Sequence, residues 1–311
     1  MQPTLQTQTS PEIQKSTGWK IWWKLTRPHT LTAAFVPVFI GTALARLDTK
    51  IDIPLFLAML LACLIIQAAT NMINEYYDYK RGLDHAESVG IGGAIVRDGI
   101  KPETVLRLAF TLFGIAVLLG VYICLHSNWW IAVIGTACML VAYLYTGGPV
   151  PIAYTPFGEL FAGLFMGLII ILISFYIQTN TITTESILIS VPIIILVGAI
   201  LMANNIRDLD GDKENGRKTL AILLGRQNAI RFLAMMFTVS YVWIVALVFS
   251  TDVTLWLLLV LISIPKSIHA IKGFIGKTQP IQMAPAMKAT AQTNTIFGFL
   301  LSIGLFISYW L

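Results

Sequence analysis

The sequence predicts an all-α integral membrane protein of nine transmembrane helices, with the N-terminus inside and the C-terminus outside. Three observations carry this expectation. Of 311 residues, 56% are hydrophobic and 12% charged. That is about half the charged share of an ordinary globular domain, too little to cover a water-exposed surface. Apolar runs of about 18 residues or more recur along the chain, each long enough to cross a bilayer as a helix. The lysines and arginines fall almost entirely in alternate connecting segments, as the positive-inside rule requires.

The runs lie near 28–46, 53–76, 105–125, 129–146, 157–177, 186–206, 231–249, 253–271 and 290–311. Lys266 interrupts the eighth. Proline and glycine within several runs are compatible with helix, because transmembrane helices tolerate both. With the N-terminus inside, 19 of the 21 lysines and arginines lie on the inner side, leaving Arg46 and Lys50 outside.

Residues 1–18 read as a polar tail ahead of a single transmembrane domain, 19–311. The tail has no signal-peptide pattern, so no cleavage is expected. The stretch STGWKIWWKLTRP (16–28) either lies along the inner membrane interface or serves as a basic flank for the first span. Cys63, Cys124 and Cys138 sit in apolar runs without metal-ligand spacing and are expected to be packing residues.

The acids point to function. Four of them, Asp48, Asp52, Glu185 and Asp252, fall on the outer side, and the rest gather mainly in 75–103 and 208–214. A carboxylate near hydrocarbon is costly unless it is paired or bound to a cation. In NMINEYYDYKRGLD (71–84), Asn74 and Asp78 are four apart and share one helical face. In ANNIRDLDGDKENGRKTLAILLG (203–225), Asn204, Asp208 and Asp212 repeat that step twice, whereas Asp210 points elsewhere. Gly82 lets the chain turn, so that Asp84 could fold back toward Asp78. All are hard oxygen ligands with no histidine among them, a set that suits Mg²⁺.

Bases interleave with these acids: Lys80 and Arg81 follow the first group, and Arg207, Lys213, Arg217 and Lys218 surround the second. Acids alone would suggest a cation site, and bases alone a headgroup patch. Together they suggest a metal–diphosphate complex, the metal bridging carboxylate and phosphate while Lys and Arg bind the remaining oxygens. Helix-end solvation with the positive-inside rule explains the bases but not the two asparagine–aspartate stripes. No phosphate loop, HExxH or glycine-flanked serine nucleophile is present. GIGGAIV (90–96) offers backbone N–H groups that could cradle an anion, or serves flexibility alone. His29 and His85 are expected as polar contacts rather than bases.

These residues resemble the UbiA superfamily of intramembrane aromatic prenyltransferases, whose members share nine helices and two aspartate-rich inner motifs. The resemblance runs from about residue 20 to the C-terminus. Within it, LTRPHTLTAAFVPVFIGTAL (25–44), NEYYDYKRGLD (74–84), GGAIVRDG (92–99), YTGGPVPIAYTPFGEL (145–160), NNIRDLDGDKENGRKTLAILLG (204–225) and TAQTN (290–294) are similar to the menaquinone branch, the 1,4-dihydroxy-2-naphthoate polyprenyltransferases. In one respect the chain departs from the commonest superfamily pattern: Gly82 stands where a second aspartate usually follows the first, and the acid appears at Asp84.

The resemblance implies a Mg²⁺-dependent transfer of a polyprenyl group from polyprenyl diphosphate to 1,4-dihydroxy-2-naphthoate, releasing diphosphate and CO₂ and giving demethylmenaquinone. It implies Asn74, Asp78, Asp84, Asn204, Asp208 and Asp212 as metal ligands, Asp78 and Asp208 being central to catalysis. Arg81, Arg207, Lys213 and Lys218 would bind diphosphate oxygens. Arg27, Arg97 or Lys101 would hold the acceptor carboxylate, an order the sequence leaves open. Tyr145, with Tyr76, Tyr77 and Tyr143, would face the allylic cation, or these serve as interfacial aromatics. It also implies a bacterial inner or plasma membrane location, an active site toward the cytoplasm, no nucleic acid and no obligate protein partner. Three rivals stay open: a UbiA-type enzyme for 4-hydroxybenzoate or another acceptor, a cation-coupled transporter, and a lipid-binding scaffold that needs only the basic loops. Against the transporter, residues 108–158 contain no Asp, Glu, Lys or Arg, whereas transporters place such groups near the midplane.

Overall fold

The computed structural model describes residues 18–28, 30–83, 93–251 and 253–310, and these are entirely helical and connecting structure. A short helix α1 (Trp19–Leu25) is followed by α2 (Thr32–Asp48), α3 (Ile53–Lys80), α4 (Pro102–His126) and α5 (Trp130–Thr146). Then come α6 (Gly158–Thr179), α7 (Thr184–Glu214), the short α8 (Leu220–Leu224), α9 (Arg226–Ser250), α10 (Leu255–Phe274) and α11 (Pro280–Ser308).

Among the described residues, seven helices are long and apolar enough to cross a membrane: α3, α4, α6, α7, α9, α10 and α11. The first and fourth sequence runs appear as α2 and α5, each of 17 residues. At 1.5 Å per residue such a helix is about 26 Å long, short of the roughly 30 Å hydrocarbon core. Other boundaries moved outward. α11 begins at Pro280, ten residues ahead of its apolar run, because Gln282 and Lys288 hide its first turns from a hydropathy reading. α3 and α7 continue to Lys80 and Glu214, so both asparagine–aspartate stripes are helical throughout.

The eighth run forms a helix of mixed pitch, with 3₁₀ geometry over Leu255–Ser263 and α geometry from Ile264. That stretch is longer than the three or four residues usual for 3₁₀ structure, and it ends where Pro265 enters the first α turn.

Two apolar clusters flank a central space. One unites α2, α7, α9, α10 and α11 through fully buried Ile40, Ile193, Leu233, Phe274 and Phe297. The other joins α3, α4 and α5 through Met59, Cys63, Ile123 and Ile131. Between lipid-immersed helices close packing, rather than water exclusion, supplies the attraction, and glycine makes it possible here. A Cβ on Gly167 of α6 would lie 2.7 Å from Ile194 Cα of α7. The same region of α6, Gly163–Ile169, takes π geometry, a local widening often found at functional sites.

The tryptophan-rich N-terminal stretch is α1, whose Trp19 and Trp23 are exposed while Leu25 is buried against Ala69, Met72 and Ile73 of α3. The three cysteines are free, Cys63 and Cys124 buried and Cys138 half-buried.

Candidate active site

α3 and α7 end in the same way. Each closes with a glycine of positive φ, Gly82 at 69° and Gly216 at 74°. After α3, Leu83 N–H donates to the Asp78 carbonyl and Gly82 N–H to that of Tyr79; after α7, Arg217 N–H donates to the Asp212 carbonyl and Gly216 N–H to that of Lys213. Both are the doubly hydrogen-bonded termination that a left-handed residue permits. They set Asp78 and Asp212 at equivalent last-turn positions.

The two ends face each other across one cavity of about 810 Å³. Asn74 and Asp78 from α3 line it, as do Asn204, Asp208 and Asp212 from α7. Asp210 does not: it is largely exposed and pairs with Arg226 at 2.7 Å. Asp84 and His85, and also His29, lie outside the described residues.

Arg217 joins the two acidic ends. Its guanidinium sits 3.2 Å from Asp78 Oδ1 and 3.0 Å from Asp212 Oδ1, with its carbon 4.4 Å from the centre of the Tyr154 ring. Burial works against its charge, but Asp212 and Asp78 outweigh that effect and hold the guanidinium above its ordinary pKa. Arg207 grips its neighbour Asp208 with a two-pronged pair, Nε to Oδ1 at 2.7 Å and Nη2 to Oδ2 at 2.6 Å, a strong charge-assisted geometry. Both arginines line the cavity.

The other basic candidates divide. Arg27 lines the cavity. It has φ of 49° immediately before Pro28, a costly conformation for a non-glycine residue. The Thr30 N–H and hydroxyl both donate to the Arg27 carbonyl, and Asn71 anchors the Thr26 carbonyl at 2.8 Å. Arg81 points elsewhere: it donates to the carbonyls of Thr146 at 2.5 Å and Gly148 at 2.8 Å, tying the end of α3 to the turn after α5. Arg97, Lys101, Lys213 and Lys218 do not line the cavity either. Of the four tyrosines, only Tyr145 does; Tyr77 and Tyr143 share a 2.6 Å hydrogen bond, and neither they nor Tyr76 face it.

Two buried acids escaped the sequence reading. Glu75, one residue past Asn74, accepts the N–H groups of Gly93 at 2.6 Å and Ile95 at 3.4 Å, and lies 3.7 Å from Arg27. The glycine-rich loop thus cradles an anion through those two N–H groups, and the anion is the chain's own. Glu159, at the start of α6, accepts from Asn205 Nδ2 at 2.8 Å. A lone acid entering an apolar run was the available signal for Glu159; Glu75 carried none, since it sits off the Asn74–Asp78 stripe.

The donor chemistry fits a hard divalent cation. Among the described residues no three histidine, cysteine or carboxylate groups converge closely enough to hold a metal by themselves. Mg²⁺ commonly binds through one or two carboxylates and completes its shell with phosphate oxygens and water. Asp78 and Asp212 both pair with one positive group, the Arg217 guanidinium, through its two terminal nitrogens.

Away from this end the lining is largely apolar, with Gln67, Thr70 and Thr136 as polar exceptions. The cavity follows α3 from Asp78 back to Met59, about 28 Å of helix, and is walled by Ala116, Gly120, Ile131, Phe161, Phe165 and Ile173 among others. Residues 34–288 match the model of the UbiA prenyltransferase family. The chain belongs to that family. Membership removes the cation-coupled transporter from consideration. The chain is 61% identical over 303 residues to the 1,4-dihydroxy-2-naphthoate octaprenyltransferase of Bacillus subtilis (strain 168), covering 97% of each chain. It is 28% identical to the protein of the same name from Escherichia coli (strain K12), covering 93% of this chain and 96% of the relative. The fold matches a solved UbiA homolog from Archaeoglobus fulgidus bound to DMAPP and Mg²⁺, with a TM-score of 0.64 at 14% identity, covering 91% of this chain and 99% of that one.

Proposed function

We propose that this family member transfers a polyprenyl group from polyprenyl diphosphate to 1,4-dihydroxy-2-naphthoate in menaquinone biosynthesis, with release of diphosphate and CO₂. The observation that carries the reading is the polarity of this cavity, with hard oxygen ligands and arginines at one end and a long, largely apolar channel behind them. Such a space takes one substrate with a polyanionic head and a hydrocarbon tail. The near full-length relationship to the Bacillus octaprenyltransferase supports this acceptor over 4-hydroxybenzoate.

In this reading Asn74, Asp78, Asn204, Asp208 and Asp212 hold Mg²⁺, and Arg207 and Arg217 donate to diphosphate oxygens. Bound Mg²⁺ supplies charge neutralisation for the departing diphosphate. The apolar wall keeps water from the allylic carbon as its C–O bond breaks, and Tyr145 is the one candidate tyrosine that lines the cavity. The acceptor carbon bearing the carboxylate forms the new C–C bond, and loss of CO₂ returns the electron pair to the ring. Arg27 is the best placed of the basic candidates to pair with that carboxylate before it leaves.

The same reading has residues 19–311 act as one domain of nine spans, α2 and α5 completing the count, with N-terminus and acidic ends toward the cytoplasm. The tail would enter from lipid beside α4, where exposed Val117 and Val121 line the cavity. The test is turnover by purified protein in nanodiscs supplied with a polyprenyl diphosphate and Mg²⁺. Prenylated naphthoquinol and stoichiometric CO₂ from the naphthoate are expected. Turnover of 4-hydroxybenzoate instead would keep the family and reject the acceptor.

A further inference from the structure

Three buried polar groups sit together where α5, α6 and α7 meet, and none belongs to the metal-ligand stripes. The Tyr145 hydroxyl is buried and has no hydrogen-bond partner among the described residues; it lies at the start of α6, where a Cβ on Gly158 would stand 3.5 Å from it. Glu159, the next residue, is 6% exposed, and Asn205 of α7 is 8% exposed. Glu159 Oε1 accepts from Asn205 Nδ2 at 2.8 Å, leaving Oε2 without a hydrogen bond. Tyr145 and Asn205 line the cavity; Glu159 stands behind them.

Burying an unsatisfied hydroxyl and a half-satisfied carboxylate in this setting is unfavourable unless something completes their bonding. A carboxylate only accepts, so Glu159 dictates which end of the Asn205 amide turns toward it. Nδ2 faces the acid, and Oδ1 is left as the acceptor. A prenyl diphosphate has no donor to offer here, since its tail is hydrocarbon and its head belongs at the arginines. The acceptor ring carries hydroxyls, which both donate and accept.

We propose that Tyr145 and Asn205 form a hydroxyl-recognition notch for the aromatic acceptor, with Glu159 as the positioning residue that sets the Asn205 amide. The inference rests on the proposed function and adds to it a determinant of acceptor choice distinct from the carboxylate. Recognition of a buried hydroxyl discriminates sharply against an analogue that lacks it, because the protein's own polar groups are then left unpaired. The notch also holds the ring in one orientation, so that the carboxylate-bearing carbon, rather than another position, meets the allylic carbon.

The test compares binding of 1,4-dihydroxy-2-naphthoate and of 2-naphthoate, which lacks both hydroxyls, to purified protein in nanodiscs, alongside KM for each substrate. Wild type is expected to prefer the dihydroxy acid by about tenfold or more, the worth of one hydrogen bond of roughly 1.4 kcal/mol. Asn205→Ala and Glu159→Leu should each erase most of that preference and raise the acceptor KM about tenfold, leaving the polyprenyl diphosphate KM within about twofold. Glu159→Gln, which keeps an acceptor for Nδ2, should restore most of the preference, as a purely structural role would not predict. Tyr145→Phe removes one oxygen and preserves the ring, and carries the same expectation if Asn205→Ala does not accumulate as folded protein. An unchanged preference in Asn205→Ala or Tyr145→Phe, or equal rises in both KM values, overturns the notch. Wild type that turns over another acceptor but never the naphthoate overturns the proposed function instead.

Discussion

Charges from separate helix ends meet at the site. The i, i+4 spacing of Asn74 with Asp78, and of Asn204, Asp208 and Asp212, made a shared face legible before any fold was known. Arg217 was legible only as one base among several. It lies past the end of α7 on a turn, and its pairing with Asp78, 139 positions earlier, exists only once the bundle closes. Arg217→Ala is predicted to raise the KM for polyprenyl diphosphate by about tenfold or more, by loss of a charge-assisted bond, with the acceptor KM little changed. Because Asp212 and Asp78 hold the guanidinium above its ordinary pKa, it stays protonated at any practical assay pH. The pH–rate profiles of wild type and Arg217→Ala should therefore share one shape, and a limb that vanishes in the variant would contradict this placement.

Elements set those residues in place through their terminations. Gly82 in the sequence suggested a turn, and the helix continuing to it follows from the paired hydrogen bonds of Leu83 and Gly82. No hydropathy reading shows that α7 ends by the same device, because its last turns are polar and merge with the loop. At both glycines a Cβ would meet nothing within 4 Å, so the cost of Gly82→Ala or Gly216→Ala is conformational, about 1 to 2 kcal/mol. Gly167 is the opposite case, since a Cβ there meets the backbone of α7. Gly167→Leu is predicted to lower thermal stability in detergent far more than Gly82→Ala. Gly82→Asn should be milder than Gly82→Val, asparagine being tolerant of the left-handed region. Equal losses across these variants would remove the distinction between a backbone requirement and a packing requirement.

The whole molecule is a set of lipid-facing helices around one space with two chemistries. Membrane class, the long apolar helices and the positions of both acidic motifs could be read from composition and spacing. The cavity could not, because its wall is built from residues such as Ala116, Gly120 and Gly135 that are indistinguishable in sequence from lipid-facing ones. Gly120 and Gly135 have open space where a side chain would begin, and both line the channel. Gly120→Phe and Gly135→Phe are predicted to cut kcat/KM for a long polyprenyl diphosphate while leaving that for geranyl diphosphate within about twofold. A parallel fall for both chain lengths would place the tail elsewhere.

The central claim is that the ends of α3 and α7 act jointly on one metal–diphosphate complex. Its most direct measurement is a Mg²⁺ titration of naphthoate prenylation by wild type, Asp78→Asn and Asp212→Asn, each with saturating substrates and checked for folding by thermal unfolding. Activity is expected to be abolished by EDTA and restored by Mg²⁺. Each single variant is expected to shift the Mg²⁺ midpoint upward and to lose at least about a hundredfold in kcat, and the double variant to be little worse than either alone. Full activity in EDTA, or a variant on one helix that leaves both the midpoint and kcat unchanged, would contradict the claim.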